Sequence, residues 1–346
     1  MVANSIAITT FHPSLPSIST SSPIRSIKSH KYYWKTAVDG NPTAIFTVGA
    51  TEQSVCESSD IQPALWPTAG ISIRLNDTQS RLVIICQVSC GGTGVKALNF
   101  FADSTLIVTV TNLHDSPDDW EYTTKLLGHK TEYVYRWMSV VQAHGLRSAH
   151  VDDTLYFLGS YQPQRSSSTV NGYQIVGRIS ARDLLAYRLE KLEIATSANA
   201  WRPWTEPSLV PMQLFSPLLT EASMWREGGE WMVLSLHMME HYLQLCKAAD
   251  ITAQWNCSYI AEIEETWQHP RLITYAGKMH PELLSPVHHI NTNSSLRLLV
   301  SVVSNTLLGP DHLFEPENKE VYTPKFMYLQ QRIQGSSNSS VIVKGS

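Results

Sequence analysis

Charge is scarce in this chain. Of its 346 residues only 16% are Asp, Glu, Lys or Arg, and the formal net charge is -4. No basic stripe exists to attract a phosphate backbone, which argues against nucleic-acid binding. Long apolar runs are missing too. None approaches the roughly 18–20 residues a membrane-spanning helix needs. The N-terminal stretch, Ser/Thr/Pro-rich through residue 27, lacks the continuous apolar core of a secretory signal.

Cysteine is sparse and odd in number: Cys56, Cys86, Cys90, Cys246 and Cys257. Such a set is not a disulfide framework, although Cys246 and Cys257 flank a short strand-turn-strand segment and could face each other across it. Cys86 and Cys90 lie on a strand with no second ligand pair, so zinc is not expected. His237 and His241 alone have a helix-like metal spacing, yet they follow a strand ending at Ser235, and no metal is expected there either. No Gly-x-Ser-x-Gly elbow is present, so acyl transfer has no sign. Gly91-Gly-Thr-Gly94-Val-Lys96 lacks phosphate-loop spacing and reads as a strand-connecting turn. Four sequons, at Asn76, Asn256, Asn293 and Asn338, hint at a secretory route. Localisation and oligomeric state are otherwise open.

What is present is a loose repeat about 70 residues long. A strand Leu82–Ser89 leads to Ser116-Pro-Asp-Asp-Trp120. A strand Leu155–Ser160 leads to Ser180-Ala-Arg-Asp-Leu-Leu-Ala-Tyr187. A strand Trp231–Ser235 leads to Asp250-Ile-Thr-Ala-Gln-Trp255. The closing aromatic recurs after 67 and then 68 residues. A fourth apolar strand, Leu298–Ser304, falls one period later. Strand-like runs recur at Ala44–Val48, Ile71–Leu75, Leu82–Val88, Leu106–Thr111, Leu155–Leu158, Tyr173–Ile179, Trp231–Leu236, Tyr259–Ile263 and Leu298–Val303. Many short strands on a long period predict an all-β five-bladed β-propeller forming a single domain. Residues 28–335 form the propeller, with blades near 30–63, 64–135, 136–205, 206–270 and 271–335. Residues 1–27 and 336–346 read as tails. A C-terminal strand such as Val321–Leu329 is expected to complete the first blade and remove an exposed edge. The best helix candidate is Ala181–Glu193, where a strand reading competes.

Each unit opens on a short segment expected to form its innermost strand: Ser148–Val151, Thr220–Met224 and Glu282–His288. A hydrophobic strand ending in Ser follows, then a loop with Asp or Ser and an aromatic. This pattern resembles the five-bladed propeller glycosidases of the arabinanase, xylosidase and invertase type, across roughly residues 30–330. The resemblance implies acidic residues at the channel floor, one protonating the leaving oxygen and one activating water or attacking the sugar. Asp39, in Val38-Asp-Gly-Asn-Pro42, looks like the family's base. Glu221, in Thr220-Glu-Ala-Ser223, is similar to the acid of its Glu-Gly-Pro motif. A third acid is not evident, since the candidate strands carry Ile71-Ser-Ile-Arg74 and Ser148-Ala-His150.

In overall character the chain also looks like fungal biosynthetic-cluster proteins, including cyclases that promote hetero-Diels–Alder coupling in tropolone sesquiterpenoid formation. That resemblance implies a cofactor-independent cycloaddition on a small apolar polycyclic substrate, catalysed by positioning. His150 or Arg136 would stabilise charge developing on a carbonyl oxygen. Trp34, Trp137, Met224, Trp225 and the nearby Trp231 would line an apolar channel mouth, with Glu282 and His288 as polar lining groups. Glu221, His150 and Asp39 are the catalytic candidates. Cycloaddition is the leading expectation; glycoside hydrolysis by Asp39 and Glu221, or non-catalytic sugar binding, are the alternatives.

Overall fold

The structure, a computed structural model, describes residues 6–11, 27–33, 35–36, 42–43, 45–47, 64–91, 100–127, 134–145, 147–162, 172–215, 221–237, 242–263, 272–280, 295–306, 325–332 and 341–345. They are nearly all β. Two small sheets come first: β1 (Ile6–Phe11) with β2 (Ile27–Tyr33), and β3 (Lys35–Thr36) with β4 (Pro42–Thr43).

Four larger antiparallel meanders follow in chain order. The first runs β5 (Ala64–Arg74), β6 (Ser80–Gly91), β7 (Phe100–Val110) and β8 (Tyr122–Leu127). The second begins with β9 (Val134–Gln142). Next in the chain comes β10 (Ser148–His150), which pairs in parallel with β5 of the first sheet. The second sheet continues through β11 (Thr154–Gln162), β12 (Tyr173–Ser180), β13 (Glu193–Ser197) and β14 (Ala200–Pro203). The third is β15 (Ala222–Glu227), β16 (Glu230–His237), β17 (Tyr242–Ala248) and β18 (Asn256–Glu262). The fourth is β19 (Leu272–Met279), β20 (Ser295–Thr306), β21 (Lys325–Arg332) and β22 (Val341–Gly345).

The apolar runs of the first three meanders are unbroken because these sheets are covered on both faces, so neither side of the pleat is left to water. On β6, Val83 and Ile85 point into a core shared with Trp137, Leu155 and Phe157 of the second sheet. Their neighbours Ile84 and Cys86 point the other way, against Ile45 and Phe46. Val141, Leu158 and Val176 pack on Met224, Trp231 and Val233 between the second and third sheets. Leu234, Leu236 and Leu245 pack on Met279, Leu298 and Val300 between the third and fourth.

The repeated aromatics occupy equivalent places. Trp120, Tyr187 and Trp255 each lie in the connection between the third and fourth strands of a sheet. The indole N–H of Trp120 donates to Asp115 O (3.2 Å), and that of Trp255 donates to Ile251 O (3.2 Å). Each bond closes its own loop. The hydroxyl of Tyr187 instead reaches the first sheet, donating to Thr123 O at 3.2 Å.

Several expectations change. The segment Ala181–Glu193 is not one helix. A five-residue turn, α1 (Ala181–Leu185), is capped by Ser180, whose Oγ accepts from Asp183 N at 3.0 Å. Tyr187, at a φ of 55°, ends it; a single 3-10 turn follows at Leu189–Lys191, and β13 starts at Glu193. Ile45 and Phe46 are buried but lie in a bend, not a strand. The segment Val321–Leu329 does not complete a first blade, because β21 is the third strand of the fourth sheet. Ser148–His150 is not the innermost strand of the second sheet; that place belongs to β9. Cys246 and Cys257 do face each other, as register partners on β17 and β18 joined by a disulfide with Cα atoms 3.9 Å apart. Cys90 is disulfide-bonded as well, so disulfides play a larger part than the sparse, odd set of cysteines suggested.

Candidate functional site

The inner strands of the four meanders meet through side-chain hydroxyls. Thr68 Oγ1 on β5 lies 2.9 Å from Trp137 O on β9 and 3.1 Å from Ile85 O, and its single proton is shared between them. Ser139 Oγ on β9 accepts from Met224 N on β15 (3.1 Å). Ser223 Oγ on β15 accepts from Met279 N on β19 (3.0 Å). At this convergence lies Glu221, the residue before β15.

Three backbone irregularities aim groups at the same point. On β5 the register shifts between Pro67 and Ala69, which makes Thr68 a bulge residue. Proline at such a place costs no ladder hydrogen bond. On β19 the register shifts between Tyr275 and Lys278, so Ala276 and Gly277 form a second bulge, with Ala276 at a φ of 56°. Gly277 is required by close approach, since a Cβ there would sit 2.9 Å from Leu236 Cβ. Glu221 itself has a φ of 21°. Bulges beside sites re-aim side chains, and the second one swings Lys278 inward. Its Nζ donates to Thr68 O (3.0 Å) and to Ala222 O (3.2 Å). One ammonium on the fourth sheet thus reaches backbone on the first and third.

The electrostatics are those of a shielded acid among cations. Glu221 retains some accessible surface as a residue, but its Oε2 has less than 1 Å² and no hydrogen-bond partner. Burial pushes its carboxyl above the usual range, while the Lys278 charge and a hydrogen bond from the Trp66 side chain pull it back. Lys278 is brought down to about 8, chiefly by burial; Glu221 opposes the drop and Arg147 adds to it. The Arg147 guanidinium lies 3.4 Å from both Ser223 Oγ and Met279 O. A carboxyl whose protonated form is favoured by burial is suited to donate a proton.

Of the residues singled out in the sequence, Glu221 is the one placed here. His150 is exposed on β10, and its backbone N–H donates to Asp153 Oδ2 at 2.7 Å. Trp137, Met224 and Trp225 are core residues, at 1%, 1% and 2% exposure. Trp231 is buried likewise, with Arg226 over its ring. Arg136 lies on β9 opposite Ser160. Asp39, Trp34, Glu282 and His288 lie outside the described residues. Among the described residues no cluster of three His, Cys, Asp or Glu could hold a metal ion. No helix among them is long and apolar enough to cross a membrane. Sequence reasoning missed Lys278, Arg147, Thr68 and Trp66. One signal was present: Lys278 is the single charge in the otherwise uncharged run Leu272–Met279.

No protein-family model matches the chain, and no curated protein matches it. Among solved structures it is similar to a thermostable family-43 glycoside hydrolase, with 10% identity over 83% of this chain and 75% of that one, at a TM-score of 0.36. It is also similar to a xylan β-1,4-xylosidase from Bacillus halodurans C-125, with 8% identity over 82% of this chain and 56% of that one, at a TM-score of 0.30. A GH43_1 enzyme from Xanthomonas citri aligns over 85% of this chain and 96% of its own, with 8% identity and a TM-score of 0.26. The likeness is coarse and says nothing of a site.

Proposed function

We propose that the chain is a glycoside-cleaving enzyme in which Glu221 is the proton donor. The carrying observation is the Glu221 carboxyl itself: shielded, raised by burial, and with Oε2 unpartnered. A general acid needs a carboxyl whose protonated form is favoured, and burial does this for Glu221. The similarity of Thr220-Glu-Ala-Ser223 to the Glu-Gly-Pro motif supports the same role. Asp39 is the proposed partner carboxylate. The scaffold is read as a five-bladed propeller, with the four meanders as four of its blades. The cycloaddition reading has less support, because Trp137, Met224 and Trp225, its apolar wall, are spent in the cores between sheets.

The test is leaving-group dependence in Glu221→Gln. Arabinosides, xylosides and fructosides are first screened with the unaltered protein, each as a 2,4-dinitrophenyl and an alkyl glycoside. The variant is expected to keep most activity on the dinitrophenyl substrate, whose leaving group needs no proton. On the alkyl glycoside it should lose about 10²–10⁴-fold. An equal effect on both, in a folded variant, overturns the assignment.

A further inference from the structure

We propose that Lys278 is a positioning residue for Glu221, holding in register the two backbone segments that carry the acid and its indole partner. The proposal rests on Glu221 being the acid.

The argument begins with which carbonyls the ammonium chooses. Ala222 follows Glu221 directly in the chain, and its carbonyl accepts from Lys278 Nζ at 3.2 Å. Thr68 lies two residues beyond Trp66, and its carbonyl accepts from the same nitrogen at 3.0 Å. The Trp66 side chain in turn hydrogen-bonds the Glu221 carboxyl. The path carboxyl, indole, β5, ammonium, β15 and back to the carboxyl is therefore a closed ring. Lys278 joins its two halves, and they come from sheets that share no strand pairing. Both bulges serve this ring. The one at Thr68 takes that residue out of the β5–β6 register, and the one at Ala276–Gly277 aims Lys278.

Lys278 and Glu221 are also coupled electrostatically. Lys278 favours the ionised form of Glu221, and Glu221 favours the charged form of Lys278. Arg147 acts on Lys278 from the loop before β10, against its charge. These are the charged groups facing the pair among the described residues. The ammonium opposes the burial that keeps Glu221 protonated, so the acid can also give up its proton during turnover.

Two variants test this. In Lys278→Met the methylene stem stays and the charge and both hydrogen bonds go. In Lys278→Arg the charge stays and the geometry changes. Glu221 is titrated directly, by carbon NMR of side-chain-labelled glutamate assigned against Glu221→Gln. Lys278→Met is expected to move its midpoint upward, and Lys278→Arg to leave it near that of the unaltered protein. On the alkyl glycoside both should lower kcat by roughly 10–100-fold with KM little changed, as small misplacements of a catalytic group do. An unmoved Glu221 midpoint in Lys278→Met overturns the proposal. So does a Lys278→Arg variant with undiminished kcat, which remains informative should the Met variant not fold. The two readings fail separately: equal leaving-group effects in Glu221→Gln remove the acid role, whereas the NMR midpoint reports the lysine coupling without any turnover.

Discussion

Replacing Lys278 by Met should change how stability depends on pH above neutrality. In an unfolded chain the ammonium titrates at its ordinary 10.5; in the folded protein it titrates at about 8. Between these values the unfolded state binds the extra proton, so stability rises with pH across the window and is level below it. The full separation corresponds to about 3 kcal/mol. The partly accessible side chain reduces this to about 2 kcal/mol. Lys278→Met lacks the titration, so its stability relative to the unaltered protein should fall by that amount between pH 8 and 10.5. The two carbonyls left without a partner, Thr68 O and Ala222 O, add a constant penalty of about 1–3 kcal/mol each that does not vary with pH. Tyr173, pushed up to about 12 by burial and by Tyr161, titrates above this window in the folded protein. It does so in both proteins and cancels in the difference. The assay is urea unfolding followed by tryptophan fluorescence at half-unit pH steps. Cys86→Ala serves as the common background, because the Cys86 thiol, buried in the native core, becomes a thiolate able to attack disulfides once unfolded. A difference between the two proteins that stays flat from pH 7 to 10.5 would refute the reasoning.

Two further outcomes check the packing. Gly145→Ala should cost on the order of 2–4 kcal/mol, combining left-handed strain with overpacking: φ is +81° and the new Cβ would lie 2.0 Å from Arg226 N. Gly228→Ala, also left-handed at +59° but with nothing within 4 Å, should cost only about 1 kcal/mol; equal urea midpoints for the two would show that the Gly145 turn is not seated on β15. The double alanine variant of Cys246 and Cys257, whose bridge spans 11 residues, should lose roughly 2–3 kcal/mol by loop entropy. A melting temperature unchanged from that of the parent would rule this out.

Much of the architecture was legible because the first three meanders are buried on both faces. Runs such as Leu82–Val88 and Trp231–Leu236 advertise strands without needing alternation. The closing aromatics Trp120, Tyr187 and Trp255 mark one connection three times over. The innermost strands were harder. β9 carries Tyr135, Arg136, Gln142 and two Ser or Met positions among its apolar residues, so it reads as less strand-like than Ser148–His150 does as a channel segment. Position in a sheet is set by pairing partners, and β10 finds its partner on β5, 76 residues earlier by register of Ser148 with Ser72. Glu221 could be found because a single acid before a buried strand is conspicuous. Its companions were less visible, Lys278 showing only as the single charge in Leu272–Met279. Thr68 and Lys278 are 210 residues apart, and both owe their direction to bulges, which leave no mark in a hydrophobic pattern.

The junctions between inner strands tie these observations together. Three of them use a hydroxyl to satisfy or engage a neighbouring main chain: Thr68 toward β9, Ser139 toward β15, Ser223 toward β19. Such a bond contributes about 1 kcal/mol and carries no charge. Among the described residues the contact from β19 back to β5 is different, since a partly shielded cation makes it. A neutral hydroxyl would satisfy the Thr68 carbonyl without the desolvation that brings Lys278 down to about 8. A cation is worth that cost only where a charge is needed. The carboxyl of Glu221, one residue from the other carbonyl this lysine holds, is the group beside it that has a charge to gain or lose.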